Sequence, residues 1–549
     1  MSRGDQVAER GDIRNGQHPC SATQPVQQVR LSFKFFSRVV VEIKVACQKI
    51  FGLDTGKSQQ LANVELRQLA RPVSLDSEGL DRLTTSVGMP GDVLGELDRN
   101  LHEIRITERR TTADPARGIQ CRTLTMTLKN ALMAIALTAP VYAAGFRAAA
   151  IKVDITPKTS QWLLGYGPRQ STGVHDPIYT RVLAIDDGHT QFFLVASDIC
   201  LFSPGLYDDV AAELQRTTGI TRKQFWWSVT HTHSAPEVGP PAMEKLFLGN
   251  RFNHEWDRDY TQQFTSSVIK AVQDARAKLE PARLQIGLGM SLANINRRAK
   301  DVDGKVSLGL NPDGPADRQI GLIRIERPDG SLLALVANYA MHGTVLSGDS
   351  KVISGDAPGI VAAYLEQKLG ATVLFINGAA GNLAPIYSVY ATPGAGHLSQ
   401  FRVLLGDKIL DANSAIPKGT DDVTLRADET LVETPLRAGL EWPQELARYS
   451  RVDSAGRTLV KLPIRFLEIN DTVIWSAPVE MFCEIAIHVR NQSPFTHTLY
   501  FGYTNGWFGY FPTAQAIAEG GYEPNTSPFT GAAENDITEK VVTWLQGAK

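Results

Sequence analysis

From Ala148 onward, short apolar runs of strand length alternate with longer amphipathic runs bounded by Gly and Pro, and this alternation leaves few folds open. Residues 181–185 and 191–197 read as two strands joined by the turn Asp186-Asp187-Gly188. Residues 204–216 read as a helix with Pro204 in its first turn, 225–230 as a strand, and 259–278 as a long helix that stops before Pro281. Further strands are expected near 283–288, 321–327, 332–340 and 372–377, with two more pairing around Asn470-Asp471. Helices are expected over 357–368, 400–412, 479–491 and 533–546. Strands and helices in alternation predict an α/β fold, layered mixed β-sheets with packed helices, in one large domain over 148–549. No internal repeat is evident.

The residues before this region have a different texture. In 126–143, Lys129 provides a positive start, 131–139 an apolar stretch too short to span a bilayer, and Val141-Tyr142-Ala143 small residues for cleavage. The segment reads as a signal peptide cleaved after Ala143, the rival being a buried apolar helix. Signal peptides begin proteins, so Met126 is the expected start, and polar, Arg- and Gln-rich 1–125 an expected mis-called or disordered extension. The expected location is periplasmic or secreted.

Composition removes some function classes. A net charge of -2 gives no basic face for nucleic acid. No apolar run reaches the roughly 18 residues of a membrane-spanning helix. The five cysteines show no CxxC pairing or metal-type spacing, and Cys200 and Cys483, in apolar surroundings, read as buried structural thiols.

Several segments carry residues capable of chemistry. His231-Thr232-His233 follows the strand at 225–230, and residues two apart on a strand share a face. Both imidazoles can then converge on a metal, or on a metal and a substrate proton; solvated or core-satisfied histidines are the alternative. His342 ends an apolar strand, where a polar side chain lines a site or serves structure. Glu480 falls at an expected helix start, a place carboxylates favour through the helix dipole alone. Asn377-Gly378-Ala379-Ala380-Gly381-Asn382 is a tight turn or a binding loop, and lacks the Lys-Ser/Thr ending of a P-loop. Asn505-Gly506-Trp507-Phe508-Gly509-Tyr510-Phe511-Pro512-Thr513 reads as an ordered aromatic loop.

Taken together and in order over about 150–546, these segments resemble the neutral/alkaline non-lysosomal ceramidase family, its catalytic N-terminal domain. The resemblance rests on Val153-Asp154-Ile155-Thr156-Pro157 with Gly165-Tyr166, Thr172-Gly173-Val174-His175 with Thr180-Arg181, and the run from Ser228 to Pro236. It continues through Asn294-Ile295-Asn296-Arg297, the run from Asn338 to Thr344 with Ser354-Gly355-Asp356, and the run from Gly502 to Tyr522. It implies Zn2+ held by His231, His342, Glu480 and Tyr510, with His233, Arg297 and Tyr522 around the scissile amide. The implied reaction is hydrolysis of the N-acyl amide of a ceramide-like lipid to fatty acid and sphingoid base. There His233 passes a proton to the leaving amine, and Arg297 and Tyr522 stabilise the oxyanion. Where the family reads Gly-Asp-x-Ser-Pro, this chain has Gly381-Asn382-Leu383-Ala384-Pro385, and Ala384 excludes a serine mechanism there. The chain also stops where the family adds the immunoglobulin-like domain. These departures keep open a zinc hydrolase of another amide or ester, and a non-catalytic lipid- or glycan-binding protein.

Overall fold

Strands covered on both faces are apolar along their whole length rather than at alternate residues, and the inner strands of this chain follow that pattern. Four form a first sheet: β1 (Arg147–Asp154), β2 (Tyr179–Asp186), β3 (Gln191–Ser197) and β4 (Phe225–Val229), in the order β4-β3-β2-β1 with Glu280–Pro281 beside β1. All of β4 is buried. β1, β2 and β3 are antiparallel neighbours, whereas β3 and β4 run parallel and are joined by helix α1 (Pro204–Thr218). Ser203 caps α1 by accepting the Gly205 N–H, and Gly219 ends it in the left-handed region at φ 75°.

A second sheet repeats this plan. β5 (Arg283–Met290), β6 (Gln319–Glu326) and β7 (Leu332–Tyr339) are antiparallel, and helix α2 (Asp356–Leu369) leads to β8 (Thr372–Asn377), parallel to β7. A third repeats it again. β9 (Leu425–Pro435), β10 (Thr458–Ile469) and β11 (Thr472–Ser476) are antiparallel, and helix α3 (Cys483–Gln492) leads to β12 (His497–Phe501), parallel to β11. One apolar cluster draws on all three sheets, with Leu194 and Trp226, Val336 and Leu374, and Ile474 and Leu499 among its members. The repeat is one of topology, carried by different side chains in each copy, which is why the sequence reads as repeat-free.

The computed structural model describes residues 104–107, 123–126, 145–251, 253–389, 392 and 397–549. The chain divides into two units, Met1–Pro140 and Val141–Lys549. In the first, Ile104–Thr107 pairs antiparallel with Thr123–Met126. The expected extension and signal peptide otherwise lie outside the described residues. The second unit is the α/β layered fold expected from the sequence. Among the described residues no helix is long and apolar enough to cross a membrane. Cys200 and Cys483 are buried free thiols, as expected.

Two local expectations need correction. The helix expected over 479–491 begins only at Cys483, because Phe482 is extended (φ −71°, ψ 142°) and Glu480–Met481 is a short strand. The helix expected over 400–412 starts as the π-helical turn Arg402–Asp407 before it becomes α-helical over Lys408–Ser414. Asn294–Lys300, unassigned from sequence, is a strand between Val306–Asn311 and Leu383–Pro385.

Candidate metal centre

The threefold plan places the chemistry. In each sheet the third and fourth strands run parallel and end level: Ser197 beside Val229, Tyr339 beside Asn377, and Ser476 beside Phe501. The segments leaving these ends carry the site, in keeping with the rule that sites form outside the carboxyl ends of parallel strands. Cys200, His342 and Glu480 follow the third strands; His231, the Asn377–Asn382 turn and Tyr503 follow the fourth. His231 lies two residues past Val229 and Tyr503 two past Phe501, both left-handed, at φ 61° and 52°. Their rings stack with centroids 4.3 Å apart.

The positive φ corrects the reading of His231 and His233 as neighbours on one strand face. β4 stops at Val229, and a left-handed His231 turns the chain so that the two Nε2 atoms approach to 3.1 Å. A non-glycine residue in that region stores strain that its surroundings must hold, a feature that concentrates at functional sites.

His231, His342 and Glu480 converge on one buried point. Glu480 Oε2 lies 3.0 Å from His342 Nε2 and 3.3 Å from His231 Nε2, and the ligand atoms of the three residues all lie within 4.8 Å of one another. Each imidazole is oriented from behind. His231 Nδ1 lies 2.9 Å from the Cys200 carbonyl, and His342 Nδ1 2.8 and 3.0 Å from the carbonyls of Ala380 and Leu383. Nδ1–H donation to a carbonyl fixes the tautomer and presents an Nε2 lone pair inward. The other oxygen of Glu480 accepts the indole N–H of Trp507 at 2.9 Å, while the Tyr503 hydroxyl donates to Oε2 at 3.4 Å.

This donor set fits a divalent cation. Tetrahedral ligands about 2.0–2.1 Å from zinc lie about 3.3 Å apart, close to the separations around Glu480 Oε2. Burial alone would lower the His231 pKa, but Glu480 outweighs it and raises it to about 10. Burial opposes ionisation of Glu480, yet His231 and then His342 hold its carboxyl well below the usual range. A proton shared by this pair occupies the position that a cation would take, so metal binding here releases it. Burial, then the charge on Arg297, lowers His342 to about 3, so it stays a neutral ligand.

Tyr510 joins the group through a ladder not foreseen from the sequence. Glu480–Met481 pairs in parallel with Tyr510–Phe511, in the register Glu480 opposite Tyr510. Glu480 therefore sits on a strand rather than at a helix start, and the helix dipole does not account for that carboxylate. The Tyr510 hydroxyl lies 3.5 Å from His342 Nε2 and accepts from Arg297 Nη2 at 3.0 Å. Burial pushes its pKa well up, against the pull of Arg297.

The other expected residues surround this point. Burial, then His231 and His342, hold the His233 imidazole neutral. Tyr522 lies at the rim, its ring 5.7 Å from that of Tyr510. Glu523, next to it, was not foreseen: its carboxylate accepts from Arg297 Nε and from Arg298 Nη1, both at 2.9 Å. Trp507 and Tyr503 were also missed as partners of Glu480; the aromatic segment around them was the available signal.

The Gly-rich turn approaches backbone rather than a ligand. A Cβ on Gly381 would stand 2.4 Å from the Glu480 carbonyl oxygen, and the Gly381 N–H donates to Met481 at 2.8 Å. The turn thus braces the Glu480 strand while Ala380 and Leu383 hold His342. Asn382 donates to Glu484 and accepts the Cys483 N–H, and Ala384 pairs with Ile295 in a buried strand. Gly165, at φ 109°, faces His233, and a Cβ there would stand 2.4 Å from the imidazole Cγ. Gly165→Ala is therefore expected to displace His233 and lower kcat by about 10²-fold, since small misplacements have effects of that order. Metal content, measured alongside, should not change.

Residues 146–381 match the family model described as neutral/alkaline non-lysosomal ceramidase, N-terminal. The neutral ceramidase of Pseudomonas aeruginosa is 24% identical over 285 residues, 49% of this chain and 41% of that protein. That of Mycobacterium tuberculosis is 24% identical over 234 residues, 40% and 35% of the two chains. Neutral ceramidase A of Dictyostelium discoideum is 27% identical over 230 residues, 39% and 31%. These matches thus span about two fifths or less of each relative. A crystal structure of the Pseudomonas aeruginosa neutral ceramidase shares the fold at TM-score 0.58 and 19% identity, over 73% of this chain and 74% of that one. A ceramidase complexed with C2 does so at TM-score 0.59, also at 19% identity and with the same coverage.

Proposed function

We propose, on the premise that residues 146–381 belong to the neutral/alkaline non-lysosomal ceramidase family, that this protein is a zinc-dependent amidohydrolase. It cleaves the N-acyl amide of ceramide-like lipids to a fatty acid and a sphingoid base. The observation that carries the reading is the convergence of His231 and His342 on one oxygen of Glu480, each imidazole fixed through Nδ1 by backbone carbonyls. His231, His342, Glu480 and Tyr510 are the residues that would hold the zinc, which when bound supplies Lewis acidity and lowers the pKa of water towards ~7.

The chain's own residues do the rest. His233, held neutral by burial, enters as a proton acceptor: it takes a proton from the attacking water and passes it to the departing amine nitrogen. The water oxygen bonds to the carbonyl carbon and the C–N bond breaks. Arg297, fixed by Glu523, and Tyr522 at the rim donate to the carbonyl oxygen as it gains charge. The signal-like segment at 126–143 supports action in the periplasm or outside the cell.

Hydrolysis of another amide or ester is favoured by one observation. Asn382 and Ala384, where the family motif has an acid and a serine, are committed to structural contacts. A non-catalytic binder would have no need of the converging ligand set, and zinc stoichiometry separates the two classes. The direct test is release of fatty acid from a labelled short-chain ceramide, with and without a zinc chelator. Chelator-sensitive release is expected; folded, zinc-loaded protein that releases nothing would move the substrate to a different amide or ester.

A further inference from the structure

Five arginines are buried among the described residues: Arg169, Arg181, Arg297, Arg298 and Arg465. Four have carboxylate partners. Arg181 pairs with Asp198 and Glu366, Arg297 and Arg298 share Glu523, and Arg465 pairs with Glu429. Arg169, only 6% exposed, forms no ion pair with any carboxylate of the described residues. Taking a cation out of water without a counter-charge is costly, so an uncompensated one persists where function needs it.

Its position is next to the centre. Trp162 and Gln170 pair across a loop that contains Gly165 and Tyr166 and returns to Arg169. Arg169 Nη2 donates to the His233 carbonyl and Nε to the Ser350 carbonyl at 3.1 Å. Among the described residues, Nη1 is buried with no hydrogen-bond partner, as are His233 Nδ1, Ser234 Oγ and Ser350 Oγ. The guanidinium lies over the Tyr166 ring at 5.0 Å, a contact that favours a cation but does not neutralise it, and Tyr166 meets His233 edge-on at 4.9 Å. An unpartnered guanidinium nitrogen therefore belongs to the side chain that holds the backbone of His233, the proton carrier of the proposed reaction, whose own Nδ1 is also unpartnered.

We infer that Arg169 is a specificity-determining residue that binds an anionic group of the substrate, so that the amide cleaved here carries a carboxylate or sulfonate close to the scissile bond. This rests on the amidohydrolase reading and bears on its second form, cleavage of another amide, by giving that amide an anionic group. A guanidinium matches such a group with paired N–H donors, and removal of one partner of a buried charge pair has large effects on affinity.

The test compares amides cleaved by zinc-loaded protein: N-dodecanoylglycine, its neutral isostere N-dodecanoylglycinamide, and N-dodecylsuccinamic acid. The first carries the anion on the amine side and the third on the acyl side, so their ranking locates it. One of the anionic amides is expected to exceed the neutral isostere about 100-fold in kcat/KM. Arg169→Gln should collapse that ratio to within about threefold of one, and Arg169→Lys should restore part of it. A general fall in all three substrates at constant ratio would mark Arg169 as structural and overturn the inference. Equal cleavage of charged and neutral amides by the unaltered protein overturns it without need of a variant, and leaves the hydrolase reading intact. Cleavage of ceramide with none of these amides cleaved overturns the inference and leaves the hydrolase reading intact.

Discussion

Glu480→Gln is expected to strip zinc from the protein and lower kcat/KM at least about 10³-fold. The carboxylate lies between two imidazoles, 3.0 and 3.3 Å from their Nε2 atoms, and supplies the negative charge that a cation displacing the shared proton would need. A metal contributes several kcal/mol of transition-state stabilisation, and each 1.36 kcal/mol is tenfold in rate, so its loss corresponds to about three decades or more. Glutamine keeps the shape and an oxygen for the Trp507 indole but removes the charge. Folding should survive, since the Glu480–Tyr510 ladder is made by backbone groups. His231→Ala should give the same phenotype. Metal analysis and kinetics on protein with an unchanged circular dichroism spectrum check both. Full zinc occupancy in Glu480→Gln with lost activity would place Glu480 beside the metal rather than on it.

Much of this site was readable before the fold. A histidine after an apolar strand, an HxH after another and an aromatic, breaker-rich loop are signals that survive in one dimension, because parallel strands deliver their C-terminal ends to a common edge. What joins them is not so readable. The pairing of Glu480 with Tyr510 is a two-residue ladder, too short to impose a hydrophobic period, and the helix-like pattern after Pro478 masked it. The left-handed His231 replaces strand alternation as the cause of convergence, and nothing in a histidine codon announces a positive φ. The threefold strand plan left no sequence period because each copy fills the shared core with its own residues, Trp226, Leu374 and Leu499 among them. Glu523 and Arg169 were invisible for a related reason: a single charge acquires meaning only from what is buried beside it.

Arg297→Met is expected to lower kcat about 10²- to 10³-fold while zinc remains bound, which separates it from the ligand variants. Removing one preorganised oxyanion donor has effects of that size. Arg297 is suited to that task because two contacts fix it: Nε on Glu523 at 2.9 Å and Nη2 on Tyr510 at 3.0 Å. Methionine fills similar volume but leaves Tyr510 without its donor and Glu523 with Arg298 alone. Because the interaction grows only as charge develops on the carbonyl oxygen, KM should move little and kcat should carry the loss. Glu523→Gln tests the same geometry from behind. It keeps a hydrogen-bond acceptor but removes the counter-charge shared by Arg297 and Arg298, so it should lower both stability and kcat. If Arg297→Met instead loses zinc along with activity, Arg297 acts chiefly through Tyr510 on the metal. The oxyanion would then depend on Tyr522, whose replacement by Phe should show the kcat loss in its place.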